Sequence, residues 1–307
     1  MRTSTRITAY FGPRGTFTEQ AARAFTADAE LVALPTIPDT IAAVRAGTAE
    51  FACVPLENSV EGAVSATMDT LAAAEPVIAV AEHVLPIRFS LLVRPGTDAA
   101  DVRTVASHPH ALAQVRGWLA ANLPSAAERA ATSTAAAAVA VLEGQFDAAI
   151  TAPVAVEHYP LTVLATDIAD RTDAVTRFLL LSKSGALPAP TGADRTSVIV
   201  VVEHRPGELA AMLTELALHG INLSRIESRP LAGRVGEYRF YLDFDGHIQE
   251  QRVGDALAAL HRRSQDVRFL GSYAKADCVD SAVPAGVTDQ DYDDSAAWLA
   301  GLRAGER

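Results

Sequence analysis

The segment ITAYFGPRGTFTEQAARAFTA, residues 7–27, sets the pattern from which the fold of this chain follows. Residues 7–11 form an apolar run that is typical of a buried strand. Residues 12–15 contain two glycines and a proline and therefore predict a tight turn. Thr16 precedes a helical pattern that extends to residue 27, so a hydroxyl stands where a helix cap is expected. Residues 7–27 thus predict a β/α unit.

Short apolar runs continue to alternate with helical patterns as far as residue 182. This alternation predicts an α/β region with largely parallel sheets and helices on both faces, either as one sheet or as two lobes around a cleft. The predicted strands are residues 31–34, 51–55, 88–93, 102–106 and 148–151, and the predicted helices are residues 38–46, 64–73, 109–121 and 134–143.

A second pattern begins after residues 184–194, whose Gly, Pro and Ala content predicts a linker. Strands and helices then follow in the order βαββαβ, which is the ferredoxin-like unit. The predicted strands are residues 196–202, 221–227, 237–244 and 267–270, and the predicted helices are residues 207–219 and 253–262. We therefore expect a first region at 1–183, a linker at 184–194, a second region at 195–273 and an acidic tail at 274–307 with a short helix.

Composition and charge exclude several classes of function and partner. The chain has 307 residues, 49% hydrophobic and 21% charged, as expected for a globular enzyme of two domains. A net charge of -11 argues against nucleic acid and anionic membranes as partners. Cys53 and Cys278 form no CxxC pair, so no disulfide framework is implied. Residues 1–10 lack a signal-peptide core and no apolar stretch is long enough to span a membrane, so we expect a cytoplasmic protein.

Polar residues stand at three predicted junctions between a strand and the helix that follows it. Thr16 follows the first turn, Asn58 and Ser59 follow the strand at 51–55, and Ser133 and Thr134 begin the helix at 134–143. Open α/β sheets bind ligands at the carboxyl ends of their strands, and helix N-termini favour anions. Helix capping by itself accounts for Thr16, for the hydroxyls at 133–134 and for one of Asn58 and Ser59, whereas capping by both of the latter takes more coincidence. Together the junctions favour a polar cleft for a small polyanionic acid.

Thr176, Arg177 and Phe178 begin an apolar run that continues to residue 181. A hydroxyl and a guanidinium at the start of a buried strand serve no packing purpose, so they predict ligand groups. A strand edge with a solvated arginine is the alternative interpretation. His108 and His110 form another junction, which is typical of a helix cap and start. They have no partner at metal spacing, so no metal site is predicted.

Several segments match known families. They are GPRGTFTEQAA (12–22), PLENSVEGAVSATMDTL (55–71), SHPHALAQVRGWL (107–119), TSTAAAAVA (132–140), TRF (176–178), and, in the second region, GELA (207–210) and ESRP (227–230). On these segments the first region resembles the prephenate dehydratase family, and the second resembles an ACT regulatory domain. The resemblance covers residues 7–272. It implies a two-lobed, periplasmic-binding-protein-like catalytic domain followed by a ferredoxin-like ACT domain.

The resemblance implies that prephenate is converted to phenylpyruvate, carbon dioxide and water in phenylalanine biosynthesis, with no cofactor. It places Thr176 at the departing hydroxyl and Arg177 on a substrate carboxylate, with Phe178 in the wall of the cleft. A structural ion pair of Arg177 with Asp170 or Asp173 is the competing interpretation. Contacts to the substrate carboxylates are expected from Thr16, Asn58, Ser59, Ser133 and Thr134.

The resemblance further implies allosteric regulation by phenylalanine at an interface between paired ACT domains of a homodimer or homotetramer. The expected effector contacts are Gly207, Leu209, Ala210, Asn222, Glu227, Ser228, Arg229 and Pro230. Two departures from the family pattern stand out. Glu208 replaces the Ala of the GALV motif and is expected to weaken or reshape phenylalanine binding. Asp173 and Ala174 occupy positions where the family usually has an Asn.

Two alternative functions stay open on the sequence. Arogenate, which carries an amino group where prephenate has a keto group, is a possible substrate, and no residue discriminates between the two. Two α/β lobes around a cleft also describe solute-binding proteins, so the first region is alternatively a small-acid sensor without catalysis.

Overall fold

The computed structural model describes residues 6–231 and 234–305, which fall into two units. The first unit contains the chain up to residue 75 and residues 83–183, and the second contains residues 76–82 and the chain from residue 184 onward. Segment 76–82 counts with the second unit, although the predicted boundaries assign it to the first region. Residues 1–5 and 306–307, at the ends of the predicted first region and tail, lie outside the described residues.

The first lobe of the first unit is a sheet with helices packed on it. Its elements are β1 (Ile7–Phe11), α1 (Phe17–Phe25), β2 (Glu30–Leu34), α2 (Ile37–Ala46), β3 (Phe51–Asn58), β4 (Gly62–Ala63), α3 (Ser65–Ala72), β11 (Val175–Lys183) and the part of β5 (Val77–Pro86) that follows residue 82. The strands lie in the order β2-β1-β3-β11-β5, with β4 beside β3. β1 is parallel to β2 and β3, but β11 is antiparallel to β3.

The second lobe of the first unit has its own sheet, in the order β10-β6-β9-β7-β8. Its elements are β6 (Ser90–Val93), β7 (Thr104–Ser107), α4 (Pro109–Ala113), α5 (Arg116–Asn122), β8 (Ala127–Ala130), α6 (Thr134–Leu142), β9 (Ala148–Thr151) and β10 (Thr162–Ala165). β7 is parallel to β8 and β9, whereas β6 is antiparallel to β9 and β10. The two-lobed fold is as predicted, but the sheets are mixed rather than largely parallel, because the chain leaves the first lobe and returns to it as β11.

The predicted helix at 109–121 is wrong in one respect, since it is broken into α4 and α5. Gln114 ends α4, and the Asp170 carboxylate accepts hydrogen bonds from the backbone N–H groups of Gly117 and Trp118, at 2.8 Å each. A carboxylate at these first N–H groups stabilises a new helix N-terminus. The residue that starts α5 is therefore distant in sequence, which explains why periodicity alone did not find the break.

The second unit contains the predicted βαββαβ fold. Its elements are β12 (Asp194–Val201), α7 (Glu208–Leu218), β13 (Leu223–Leu231), β14 (Arg234–Asp245), α8 (Gln251–Arg263), β15 (Asp266–Ala274) and α9 (Asp289–Ala304). The antiparallel strands lie in the order β13-β14-β12-β15, and α7 and α8 bury an apolar core that includes Val198, Leu216, Leu242 and Val253. No helix within the described ranges is long and apolar enough to cross a membrane.

Replacing either of two glycines of the second unit by alanine is expected to change the free energy of unfolding, in opposite directions. Gly271 has φ +139°, and a Cβ there would lie 2.2 Å from the Ala79 carbonyl oxygen. Gly254, inside α8, has room, since its Cβ would meet nothing closer than the Ile248 oxygen at 3.7 Å. We expect Gly271→Ala to lower the free energy of unfolding by about 2–4 kcal/mol. Gly254→Ala should raise it by about 0.5–1 kcal/mol, because alanine favours a helix interior.

Urea denaturation of the two variants and the parent chain measures both changes under the same conditions. A Gly271→Ala variant as stable as the parent would contradict the close approach of β15 to Ala79.

Candidate active site

A cavity of about 500 Å³ lies between the two lobes of the first unit. Its walls include the amino-terminal ends of α1, α3, α4 and α6 and the turns before them. The sequence-predicted residues that line it are Thr16, Asn58, Ser133, Thr134, Thr176 and Phe178. Helix N-termini carry partial positive charge and backbone N–H groups without helical partners. The cavity therefore favours an anionic ligand.

Asn58 and Thr176 form a directed pair on the cavity wall. The antiparallel register of β3 and β11 places them opposite each other, and Asn58 Nδ2 donates a hydrogen bond to Thr176 Oγ1 at 2.8 Å. Asn58 Oδ1 accepts the backbone N–H groups of Val60 and Glu61, at 2.8 and 3.0 Å, which fixes the orientation of the amide. Because the Thr176 oxygen is an acceptor in this pair, its own proton is directed to other acceptors.

The two helix-capping hydroxyls in the cavity differ in what they offer a ligand. Thr16 caps α1 by accepting the Glu19 N–H at 3.4 Å, and its hydroxyl donates to the Pro13 carbonyl at 3.1 Å. Ser133 caps α6 by accepting the Ala136 N–H at 2.9 Å. The Ser133 proton is thus available to a carboxylate, while that of Thr16 is engaged within its own turn.

Arg177 and Ser59 are not among the residues that line this cavity in the described part of the chain. Arg177 is buried and lies opposite Glu57 in the β3–β11 ladder. Neighbouring residues of a strand face opposite sides of the sheet, so Thr176 and Arg177 diverge. Ser59 is exposed, and it joins β3 to β11 through its N–H, which donates to the Val175 carbonyl, and its Oγ, which accepts the Val175 N–H.

The carboxylates considered as alternative partners of Arg177 bind elsewhere. Asp170 is occupied at the start of α5, as described above. Asp173 pairs with Arg171 at 2.9 Å on the exposed surface, and hydrogen bonding to Arg171 lowers the pKa of Asp173. The structural ion pair considered from the sequence is therefore absent from the described contacts of these two acids.

The sequence predictions gave no ligand role to the three ionisable residues of the cavity, namely Glu61, His108 and His110. His108 Nδ1 accepts the His110 N–H at 3.3 Å, and His110 Nε2 lies 3.5 Å from a Glu61 carboxylate oxygen. Burial and the adjacent His110 ring lower the pKa of His108, against an opposing effect of Glu61. The available signal was the position of both histidines at a strand-to-helix junction, the same place in a β/α unit as Thr16. Across the described ranges, no cluster of three His, Cys, Asp or Glu side chains is arranged to hold a metal ion.

A buried carboxylate holds the turn that precedes α1. Glu19 is 3% exposed, and its side chain accepts hydrogen bonds from the Gly15 N–H and from Arg23, at 2.6 Å each. His158, from the second lobe, lies 2.7 Å from the same carboxylate. Burial alone would raise the pKa of Glu19, but the hydrogen bonds from Gly15, His158 and Arg23 outweigh it and lower the pKa. The turn beside the cavity is therefore tied to both lobes.

The predicted effector residues of the second unit fall into two groups, one at the start of α7 and one on or just before β13. Gly207 precedes α7 with φ +88°, and Leu209 borders a small cavity of about 130 Å³. Glu208, the first residue of α7, pairs with Arg205 at 3.0 Å. Residues 227–230 lie on the edge strand β13, which β14 separates from β12. The exposed Asn222 side chain donates to Asp245. Within one chain, the GELA motif thus lies at the start of α7, whereas the ESRP motif lies on the edge strand β13.

Comparisons with known proteins agree with this architecture. The model of the prephenate dehydratase family matches residues 8–186, and that of the ACT domain matches residues 196–262. A prephenate dehydratase of Amycolatopsis methanolica is 60% identical over 301 residues, which cover 97% of this chain and 98% of that protein. The chain therefore belongs to the prephenate dehydratase family, and it carries an ACT domain.

Two solved structures show how closely the fold is shared. A prephenate dehydratase from Arthrobacter aurescens in complex with L-Phe has a TM-score of 0.93 and 44% identity, covering 97% of this chain and 99% of its own. GqqA, described as a quorum-quenching acylase, has a TM-score of 0.81 and 33% identity over 88% of this chain and 98% of its own. Since another activity is described on a similar fold, the reaction has to be argued from the site.

The Glu19 network generates a prediction about stability and pH. Glu19→Gln should lower the free energy of unfolding by about 1–3 kcal/mol at pH 6, because an amide cannot accept all the hydrogen bonds that Glu19 accepts. A carboxyl whose folded pKa is lowered stabilises the protein above its ordinary pKa of about 4.3, and this stabilisation is lost as pH falls through the folded pKa. The difference between parent and variant should therefore shrink at pH 3.5.

Urea denaturation at both pH values measures the difference, with Glu128→Gln on the exposed strand β8 as the control. A Glu19→Gln variant that matches the parent, or a difference that grows in acid, would contradict the role of this carboxylate.

Proposed function

We propose that the cavity converts prephenate to phenylpyruvate, carbon dioxide and water. The observation that carries the proposal is the Asn58–Thr176 pair, which directs a hydroxyl proton away from the amide on the cavity wall. In this reaction the bond to the ring carboxylate breaks and its electron pair completes the aromatic ring. The ring C–O bond breaks at the same time, and the departing hydroxide takes up one proton to become water.

Thr176 is assigned to the departing hydroxyl. A threonine hydroxyl is a weak acid, so a hydrogen bond that stabilises the leaving oxygen is expected rather than complete proton transfer. Asn58 is the positioning residue, because it occupies an acceptor site of the Thr176 oxygen and leaves the proton as the donor. Phe178 is a buried residue of the same strand, β11, and it contributes an apolar surface to the cavity wall.

The two substrate carboxylates are assigned to the helix N-termini. α1 and α6 each extend over nine residues, and their first turns border the cavity together with the first turn of α3. Ser133 and Thr134 supply hydroxyls at the start of α6. Thr16 caps the start of α1 and fixes the turn before it through its bond to Pro13. An anion that contacts several helix N-termini is held by N–H groups and by the helix dipoles. Arg177 and Ser59 are assigned to supporting this wall from outside the cavity.

Prephenate turnover tests the proposal, with arogenate as the second substrate. We expect phenylpyruvate to form from prephenate, and Thr176→Ala to lower kcat by about a hundredfold or more while KM changes little, because one transition-state donor is lost. Thr176→Ser keeps the hydroxyl and should retain most of the activity.

The rate with prephenate is read from the absorbance of phenylpyruvate, and the rate with arogenate from the phenylalanine that forms, because arogenate keeps its amino group. A protein that binds prephenate but does not turn it over would be a sensor. Full activity of Thr176→Ala would show that the departing hydroxyl is assisted by another group. Faster turnover of arogenate would identify the chain as an arogenate dehydratase.

We also propose that phenylalanine regulates the enzyme at an interface between the ACT domains of two chains. The GELA motif lies at the start of α7 and the ESRP motif on β13, which is an edge strand whose backbone groups are suited to pairing with another copy. One partner would supply Gly207, Leu209 and Ala210, and the other Asn222 and residues 227–230. A homodimer or homotetramer, a cytoplasmic location and the domain boundaries at residues 183 and 195 are part of this proposal.

Calorimetry measures the effector site directly. We expect L-phenylalanine to bind at millimolar concentration or below, and D-phenylalanine to bind less well, because backbone groups orient the charged ends of the amino acid. Glu208→Ala should bind L-phenylalanine more tightly, since it removes a carboxylate from the first turn of α7, where an anionic ligand group is favoured. No heat from L-phenylalanine with either protein would overturn the effector assignment.

A further inference from the structure

The helix N-termini around the cavity supply only part of the positive charge that a dianionic substrate requires. Prephenate carries two carboxylates, yet neither Arg nor Lys occurs among the described residues that line the cavity. The ionisable side chains that do line it are Glu61, His108 and His110. A dianion thus meets one acidic side chain and two imidazoles. Whether one of these imidazoles carries a positive charge decides the electrostatics of the site.

The two histidines have different surroundings. His108 uses Nδ1 as an acceptor for the His110 backbone N–H, and its pKa is lowered by burial and by the His110 ring, so it is a neutral ring at neutral pH. The two rings are in edge-to-face contact with centroids 4.8 Å apart. His110 instead has a carboxylate beside it, since its Nε2 lies 3.5 Å from Glu61.

The Glu61–His110 pair joins the two lobes at the edge of the cavity. Glu61 follows β3 in the first lobe, whereas His110 stands in the first turn of α4 in the second lobe. Their side chains are 35% and 61% exposed, which places the pair at the mouth of the cavity rather than in its interior. The Nδ1 atom of His110 has no hydrogen-bond partner among the described residues. The ring of His110 therefore has Nε2 beside Glu61, which leaves Nδ1 for a ligand.

We propose that His110 binds a carboxylate of the substrate through its Nδ1–H as an imidazolium, while Glu61 holds the ring at Nε2. The inference rests on the proposed function, because it requires a substrate with two carboxylates. His110 is then a substrate-binding residue, and Glu61 is a positioning residue that acts through it. The titratable groups that face His110 in the described structure are Glu61 from the first lobe and His108 from its own turn.

The proposal predicts that substrate affinity depends on pH through one ring. Histidine changes charge between about pH 5 and 8, and the substrate carboxylates remain ionised over that range. The protonated ring attracts the dianion, so the KM for prephenate should rise as pH increases from 6.0 to 8.5. The expected rise is about three- to tenfold, the range for a charged hydrogen bond at a partly exposed site. The kcat should change less than about twofold from this cause.

Steady-state kinetics of the full chain with prephenate at pH 6.0 and 8.5 provide the test, with the enzyme-free rate subtracted. His110→Gln should have the high KM at both pH values, and His110→Lys, which carries a permanent charge, should have the low KM at both. Glu61→Gln should raise the KM at both pH values, because an amide holds the ring less firmly at Nε2 than the carboxylate does. His261→Gln, on the exposed end of α8, is the matched control and should behave like the parent.

The outcomes separate this inference from the proposed function. A parent that turns over prephenate, combined with a His110→Gln variant whose KM and pH dependence match the parent, would overturn the role of His110 alone. A His110→Gln variant with low kcat and unchanged KM would also overturn it, since binding would not be affected. A parent without any turnover of prephenate would overturn the proposed function and this inference together.

Discussion

The antiparallel pairing of β11 with β3 is the constraint on which the site depends. A strand that runs against its neighbour places its amino end at the neighbour's carboxyl end, which is the edge where α/β sheets bind ligands. Thr176, at the start of β11, therefore meets Asn58, at the end of β3, at hydrogen-bond distance. Ser59 strengthens the same junction through its two bonds to Val175. The return of the chain to the first lobe thus sets the geometry of the Asn58–Thr176 pair.

Electrostatics at this site come mainly from the backbone. Helix N-termini from both lobes surround the cavity, and their N–H groups and dipoles supply positive potential without lysine or arginine among the described lining residues. This arrangement suits a chain with a net charge of -11, because local dipoles act against an overall field that repels anions. It also makes the charge of a single histidine matter. We assign His110 to the substrate because few other cationic groups line the cavity. Glu19 has a different role, since its carboxylate holds the turn that precedes α1.

The second unit illustrates how a sheet edge can carry a function that one chain does not complete. Its order β13-β14-β12-β15 places the ESRP residues on an edge strand, while the GELA residues lie at the start of α7. An effector that contacts both motifs requires a second copy in the proposed arrangement. Regulation and oligomeric state are therefore linked in this proposal, because the same edge pairs the chains and forms the site.

The sequence by itself determined the alternation of strands and helices, the βαββαβ order of the second unit and six of the predicted residues that line the cavity. Thr16, Ser133 and Thr134 could be found because every parallel β/α unit places its strand-to-helix junction at one edge of the sheet. Only the tertiary structure decided that Arg177 faces away from the cavity, since register and strand direction set which face a side chain occupies. It also decided the contact of Glu61 with His110, because residues from two lobes meet only when both sheets have formed.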